Sequence, residues 1–350
     1  MSRVVGIDAG TVSLDICGLA DSRLTLDLTW PTSEAIADPD GFIAVLSASG
    51  APDLVVAPSG YGLPLREARG VTDEELRLAY LAGPGEQGGI GGLRGLVARL
   101  AASSLPVVFT PGVIHLDTVA PHRKINRVDL GTADKVCAAA LAIEDRRART
   151  RKPVDEISLI LLELGGAFTA AVAVECGRIV DGLGGSSGPI GWRAPGAWDG
   201  EVAFLAGRVE KAHLFAGGAE AVAQSSPEGR ALAIEAYIEG AVKAVLQLRA
   251  SAPHADEVVV SGRGAADADL LRRLRSALPG LPVHHLEGFA LVAKQGAQGA
   301  AILADGLVGG RHKALVECLR IREAGGTVLD HLLVITPSAA RRRLGLDADG

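Results

Sequence analysis

Cysteine is sparse and unpatterned. Cys17, Cys137, Cys176 and Cys318 are scattered, and no two stand at zinc or iron–sulfur spacing. Buried, reduced thiols are expected. Aromatic residues make up only 3% of the chain, so each tryptophan is a useful core or interface anchor. A strong charge of one sign is also missing. The 35 basic and 41 acidic residues give a formal net charge of −6, which offers nucleic acid no general basic surface. An anionic substrate held by a local basic cluster stays compatible with that balance. Long apolar runs are interrupted: ISLILLELGGAFTAAVAV carries Glu163 and a double glycine, and it fits a buried strand and turn rather than a membrane span. The N-terminus opens on a strand pattern with no signal sequence. A soluble cytoplasmic protein, bound to neither nucleic acid nor membrane, is expected.

Glycine and aliphatic residues are what the chain has instead. Its 350 residues include 45 glycines and are 48% hydrophobic. That is the composition of a globular α/β protein rich in glycine turns, not of a disordered or fibrous chain. The length allows two cores of ordinary size.

The first half begins VVGIDAGTVSLDICGLA, then LTLDLTW: a hairpin around a glycine turn, followed by a third strand. A helix is expected over residues 33–48, weakened by Pro39 and Gly41. DLVVAPSGYG and PVVFTPGVIHL read as strands with loops. LGTADKVCAAALAIEDRRA reads as a helix with Thr132 as its N-cap. The second half opens SLILLELGGAFTAAVAVECGRIVDG. Again an apolar strand leads to an acid (Glu163), a glycine turn, a hydroxyl (Thr169) and an apolar return strand. Helical stretches follow, then EVVVSGRGAAD, LLRRLRSAL, PVHHL and FALVAKQGAQGAAILADGLVGG. RRARTRKP breaks the pattern between the halves. Internal duplication is the expected organisation: a first domain over 1–152, a second over 153–309, and an extension over 310–350 that packs on either domain. In that extension TVLDHLLVI reads as an added strand and RRRLGLDADG as a mobile tail. Two unrelated αβ segments sharing a common hairpin type are the alternative.

Four segments carry a family resemblance through their order. They are IDAGTVSLD at 7–15, LELGGAFTAAVAV at 162–174, VVVSGRG at 258–264 and AKQGAQGAAILADGL at 293–307. Together they resemble the two phosphate segments, the adenosine segment and the second connecting helix of the superfamily of acetate and sugar kinases, chaperone ATPases and actin. The resemblance implies an α/β fold of duplicated ribonuclease H-like domains, the actin-like ATPase fold, with an interdomain nucleotide cleft, and it implies ATP and Mg²⁺ as cofactors. GTADK at 131–135, GGSSGPIG and DGEVA within 184–203, PGVIHL and HRKINRVDLGTADK resemble, more narrowly, a group of predicted butyrate kinases. That narrower likeness implies phosphate transfer between ATP and a short-chain carboxylate.

On this reading Gly10, Gly165 and Gly166 let backbone amides approach phosphate, and Thr11, Ser13 and Thr169 add hydroxyls. Asp8 organises Mg²⁺ through water. Glu163 stands where the superfamily commonly has aspartate; it reaches a metal-bound water or supports the domain interface. Asp181 joins the metal site or is a turn aspartate. Gly262 and Gly264 let adenine and ribose lie against the second domain, with Arg263 stacking on the nucleotide or facing water. Gly296 permits close crossing of the last helix near the first domain.

The acceptor is sought in HRKINRVDLGTADK, which packs His122, Arg123, Lys124, Asn126, Arg127, Asp129, Asp134 and Lys135 into 14 residues. A loop feeding a helix N-terminus would focus positive potential on an anion. Arg123, Arg127 or Lys135 would neutralise a carboxylate acceptor and the transferring phosphoryl group, with His122, Lys124 and Asn126 contacting the substrate. A carboxylate needs no general base, whereas an alcohol would call on Asp129 or Asp134. Asp134 could equally serve only the helix terminus. Ser186, Ser187 and Arg193 could touch a small ligand or shape a lid, and Trp192 and Trp198 could wall it. Exposed tryptophans would suit a homodimer. His115 reads as a loop histidine or a ligand. A small organic acid is the leading acceptor. A sugar or polyol kinase, an ATP-hydrolysing regulatory or activator protein, and an inactive ATP-binding scaffold are the alternatives.

Overall fold

The structure is a computed structural model and describes residues 2–10, 12–48, 50–83 and 90–346. Two compact units divide the chain. The first comprises Met1–Val128, Thr132–Asp155 and Gly288–Gly350; the second comprises Asp129–Gly131 and Glu156–Glu287. Residues 288–309, expected in the second domain, therefore group with the first, and so does the C-terminal extension.

Each unit is built on one sheet. In the first, β1 (Arg3–Ala9), β2 (Ser13–Ala20) and β3 (Arg23–Pro31) run antiparallel. β4 (Leu54–Ala57) and β6 (Val107–Phe109) continue the sheet in parallel from β1, and β5 (Arg66–Glu67) closes the edge, giving the order β3-β2-β1-β4-β6-β5. In the second, β7 (Leu159–Leu164), β8 (Thr169–Glu175) and β9 (Arg178–Leu183) are antiparallel, and β10 (Val258–Ser261) and β11 (Val283–His285) continue in parallel from β7. Read from the edge, β9-β8-β7-β10-β11 repeats the first five strands of the other sheet. The duplication inferred from two glycine hairpins thus extends to strand order and direction. The central strands are apolar on both faces, with Leu159–Leu162 and Val258–Val260 fully covered, as helix-covered parallel strands require.

The last helix, Gln295–Leu307, explains why the chain returns to the first unit. It contains Gly296, Gly299 and Gly306, and its residues from Gly296 to Gly306 are buried. A Cβ on Gly299 would collide with the Cys137 carbonyl, and one on Gly6 of β1 with the Ala297 and Ala301 backbone. Glycine weakens a helix interior by about 1 kcal/mol. Here it lets this helix touch both β1 and the alanine-rich helix Ala133–Thr150.

Several local expectations are corrected. The helix over 33–48 forms as two pieces, Thr32–Ala37 and Pro39–Val45, with Asp38 capping the second through Gly41 N at 2.9 Å. TVLDHLLVI forms turns instead of a strand, because its backbone is claimed by a side chain: Asn126 Oδ1 accepts from Leu333 N (2.7 Å) and Val334 N (3.0 Å). The supposed tail carries a helix, Pro337–Arg343, with Arg341 paired to Glu74. Leu346 is buried beyond it, and the final residues of that segment lie outside the described ones. Cys17 and Cys137 are buried, whereas Cys176 is exposed in a left-handed turn and Cys318 is half-buried. Among the described residues no helix is long and apolar enough to cross a membrane.

Candidate functional site

The two hairpin turns share one geometry. In β1–β2, Asp8 faces Asp15 and the Gly10 amide donates to the Ser13 carbonyl at 2.9 Å. In β7–β8, Glu163 faces Ala170 and the Gly165 amide donates to the Phe168 carbonyl, also at 2.9 Å. A Cβ would stand 3.0 Å from that carbonyl oxygen at Gly10 and 2.7 Å at Gly165, so the turns need glycine on steric grounds. The amides expected to meet phosphate at Gly10 and Gly165 are instead used inside the turns. Gly166 has nothing within 4 Å of its Cβ position and is the open glycine of the second turn. This register aligns Glu163 with Asp8 and gives Thr169, the first residue of β8 and the partner of Leu164, the place that Leu14 holds in the first hairpin. Thr169 is fully buried, and its Oγ1 has no hydrogen-bond partner among the described residues. Thr11 lies outside the described residues.

The first unit gathers a charged cluster around its hairpin. Asp8 is half-buried, and a Cβ on Gly296 would stand 2.5 Å from its Oδ2; only glycine lets the last helix come so near. Asp15 is 1% exposed. Its Oδ2 accepts from Lys294 Nζ at 2.6 Å and from Ser13 Oγ at 3.2 Å, and Lys294 Nζ also donates to Ser13 Oγ at 2.6 Å. Two carboxylates directly opposite on a hairpin repel each other, and Lys294 offsets that repulsion. Neither Asp15 nor Lys294 was singled out from the sequence.

Asp134 and Lys135 open the helix Ala133–Thr150, with Lys135 Nζ 2.5 Å from Asp134 Oδ2. Burial opposes ionisation of Asp134, but the charge of Lys135 and hydrogen bonds from Lys135 and Thr132 outweigh it and hold the carboxyl below its ordinary range. Thr132 occupies the N-cap position, yet its hydroxyl goes to Asp134 rather than to a backbone amide. One turn on, the Cys137 thiol is pushed up by burial, against a hydrogen bond with Thr110 and reinforced by Asp134 and Asp8.

The basic segment before this helix does not act as one anion site. Lys124 is 7% exposed and donates to the Leu116 carbonyl at 2.7 Å. Asn126 holds the C-terminal segment, as described above. His122 and Arg127 are exposed, and Arg123 is half-buried.

His115 is 3% exposed, and burial brings its imidazole down to about 4. The unfolded chain takes up this proton near pH 6.5 and the folded chain only near 4, so between those values the unfolded state binds more protons and stability falls as pH falls. The full span corresponds to about 3 kcal/mol. Thermal unfolding followed from pH 7.5 to pH 4.5 is therefore expected to show a steeper loss in the wild type than in His115→Gln; parallel curves would contradict the assignment.

In the second unit, Glu163 is the next-to-last residue of β7 and lies beside Gly262, whose Cβ would stand 3.0 Å from Glu163 Cγ. Gly262 has φ +83°, a conformation glycine adopts without strain. A Cβ on Gly264 would lie 3.4 Å from the Tyr237 hydroxyl, and that phenol is pushed up to about 12, chiefly by burial. Ser261, opposite Glu163 in the β10–β7 register, has a buried Oγ with no hydrogen-bond partner among the described residues. Arg263 points to solvent. Tyr237 and Ser261 are additions that the sequence reading missed.

Asp181 does not join Glu163. Glu163 pairs with Ala170 and Asp181 with Ala173, three residues apart on β8 and hence on opposite faces of the sheet. Asp181 instead accepts from Ser251 Oγ at 2.6 Å and Gly182 N at 2.8 Å.

Ser186 and Ser187 are likewise engaged. Asp129 is 4% exposed and accepts from Gly131 N (3.0 Å), Ser186 N (3.0 Å) and Ser186 Oγ (2.9 Å), while Ser187 Oγ donates to the Asp129 carbonyl. These bonds fasten the 184–188 loop. Arg193 is exposed, but its amide donates to the Ala167 carbonyl at 3.1 Å. Trp192 packs edge-on to Tyr237 at 5.9 Å, a core contact.

Comparison with solved structures places this architecture. The chain is similar to a propionate kinase from Francisella tularensis, with a TM-score of 0.60 and 12% identity over 86% of this chain and 98% of that one. It is similar to an acetate kinase from Entamoeba histolytica, with a TM-score of 0.57 and 12% identity over 79% and 86% of the two chains. A Porphyromonas gingivalis acetate kinase gives a TM-score of 0.54 and 14% identity over 86% and 98%. Identities this low show the fold alone: duplicated ribonuclease H-like domains of the actin-like ATPase type. No curated protein matches the chain. Residues 6–334 match the family described as a protein of unknown function, DUF1464, and the chain belongs to that family.

Proposed function

We propose that this chain is an ATP-dependent kinase that transfers the γ-phosphoryl group to a small organic acid, such as the short-chain carboxylate butyrate, and forms an acyl phosphate. The observation that carries the acceptor class is the state of two aspartates. Asp129, a candidate base for an alcohol, is buried under three hydrogen bonds to its carboxylate. Asp134, the other, is held below its ordinary range and is a weak base. A carboxylate acceptor needs neither. The acetate and propionate kinase likeness supports the same class through the fold alone.

The residues present fit Mg²⁺ and ATP by their chemistry. Among the described residues no three acidic, histidine or cysteine side chains converge on a metal position. Mg²⁺ commonly takes one or two carboxylates, several waters and phosphate oxygens instead of a protein cage, and Asp8 suits that role. Bound MgATP supplies an electrophilic phosphorus with part of its charge already neutralised. Asp8 would hold the metal through its carboxylate. Lys135 is paired with Asp134 and brings its ammonium to the start of a helix, where positive potential favours phosphoryl oxygens. In the second unit, the open Gly166 and the glycines of the β10 loop suit close approach of phosphate and ribose, with Glu163 beside them.

The test is a product screen. Purified full-length chain is incubated with ATP, Mg²⁺ and hydroxylamine against short-chain carboxylates, hydroxy acids and polyols. Hydroxamate that forms only with an acid, in step with ADP, is the expected result. ADP release independent of every acceptor would favour the regulatory ATPase, and phosphorylation of a polyol would favour a sugar-type kinase; either overturns the proposal.

A further inference from the structure

We infer that Lys294 is the phosphate-contacting cation of the first hairpin. The inference rests on the kinase reading above and adds to it a residue supplied by the far end of the chain.

Lysine is a poor choice where Lys294 stands. It occupies the N-cap of the helix Gln295–Leu307 and makes no side-chain cap bond. Helix N-termini favour Ser, Thr, Asp or Asn and disfavour a cation, because their exposed N–H groups already carry positive potential. A local rule broken in an ordered place asks for a compensating role.

The surroundings hold this lysine in place. The amides of Leu291, Val292 and Ala293 all donate to the Asp27 carboxylate, at 2.7–3.2 Å. Gln298 Oε1 accepts from Phe289 N at 2.7 Å and Ala290 N at 3.1 Å. Five successive amides before Lys294 are thus tied to two side chains. The ammonium that emerges from this loop donates to Ser13 Oγ and Asp15 Oδ2, both at 2.6 Å. It lies 3.6 Å from the Cβ position of Gly10. An ammonium has three donors, two of which are accounted for by Ser13 and Asp15, and the side chain is 50% exposed. It therefore presents a fixed positive charge beside the glycine turn. Charge-assisted bonds of this kind are the strong ones in phosphate recognition. Asp15 aims the lysine, and Asp27 and Gln298 position the loop that carries it.

A purely structural lysine, kept only to neutralise buried Asp15, is separated by a double substitution. MgATP binding is measured by calorimetry, and thermal stability alongside it, for the wild type, Lys294→Met, and Lys294→Met with Asp15→Asn. The single variant is expected to bind MgATP about 10- to 100-fold more weakly and to melt earlier, because Asp15 is left buried and unpaired. The double variant is expected to recover stability without recovering affinity. Wild-type affinity in either variant overturns the role of Lys294 and leaves the kinase reading standing. Absence of MgATP binding in the wild type overturns both.

Discussion

Replacing Asp8 by asparagine is expected to remove MgATP-dependent turnover while leaving the protein as stable as the wild type. The loss should be about a hundredfold to a thousandfold or more, the range seen when one preorganised electrostatic contact to a reacting centre is removed. The stability expectation comes from a different observation. Asp8 faces Asp15 across the β1–β2 hairpin, and like charges directly opposite destabilise a sheet by up to about 1 kcal/mol. Asparagine keeps the shape and removes one of those charges. A turn-capping aspartate would give the opposite pattern, with lower stability and normal turnover. Steady-state ADP formation and a thermal melt on the same preparation separate the two. An Asp8→Asn chain that turns over normally would remove the metal role from this residue.

The second large effect concerns two glycines that the sequence presents alike. Gly299 and Gly95 both sit inside helices, Gln295–Leu307 and Ile90–Ala102. Helix propensity alone favours alanine at each by about 1 kcal/mol. At Gly95 nothing lies within 4 Å of the Cβ position, so Gly95→Ala should stabilise by roughly 0.5–1 kcal/mol. At Gly299 the new methyl would overlap the Cys137 carbonyl. Backbone cannot rotate away as a side chain can, so two packed helices must separate. Overpacking of this kind costs about 1–3 kcal/mol and sometimes more, which outweighs the propensity gain. Gly299→Ala should therefore destabilise. It should also cut turnover, because Asp134 and Lys135 stand on one of the helices pushed apart and a displacement near 1 Å can cost about a hundredfold. Chemical denaturation of the two variants checks the opposite signs. Equal effects would mean that the close approach of the two helices is not a real constraint.

The parts of this architecture that were legible in the sequence are those set by nearby residues. A glycine three residues before a carbonyl partner makes the same turn at Gly10 and Gly165, and the acid two positions earlier marks the strand end in both. Alanine-rich and glycine-rich helices could be placed for similar reasons. What could not be read depends on distant partners. Lys294 meets Asp15 across 279 positions of sequence, and its residue type is locally unfavourable, so no periodic pattern announces it. The basic run before the helix Ala133–Thr150 looked like one anion site because charge density is visible in sequence and side-chain direction is not. Burial turned Lys124 to a carbonyl, and the C-terminal segment took Asn126. Ser186 and Ser187 looked open until Asp129, 57 positions away from Ser186, claimed their loop. Thr169 seemed to match Thr11 by residue type, whereas the register, counted from the turn, matches it with Leu14. Asp181 failed for the simplest reason: an odd offset along β8 places it on the other face of the sheet from Glu163.

In the proposed reaction a carboxylate oxygen attacks the γ-phosphorus of ATP and ADP leaves. Phosphorus NMR of the full-length chain with ATP, Mg²⁺ and butyrate or a neighbouring short-chain acid tests it without trapping or coupling. An acyl phosphate resonance is predicted to grow together with ADP, only when the acid is present and not with Asp8→Asn. Orthophosphate and ADP appearing at the same rate with or without any of these acids would contradict it.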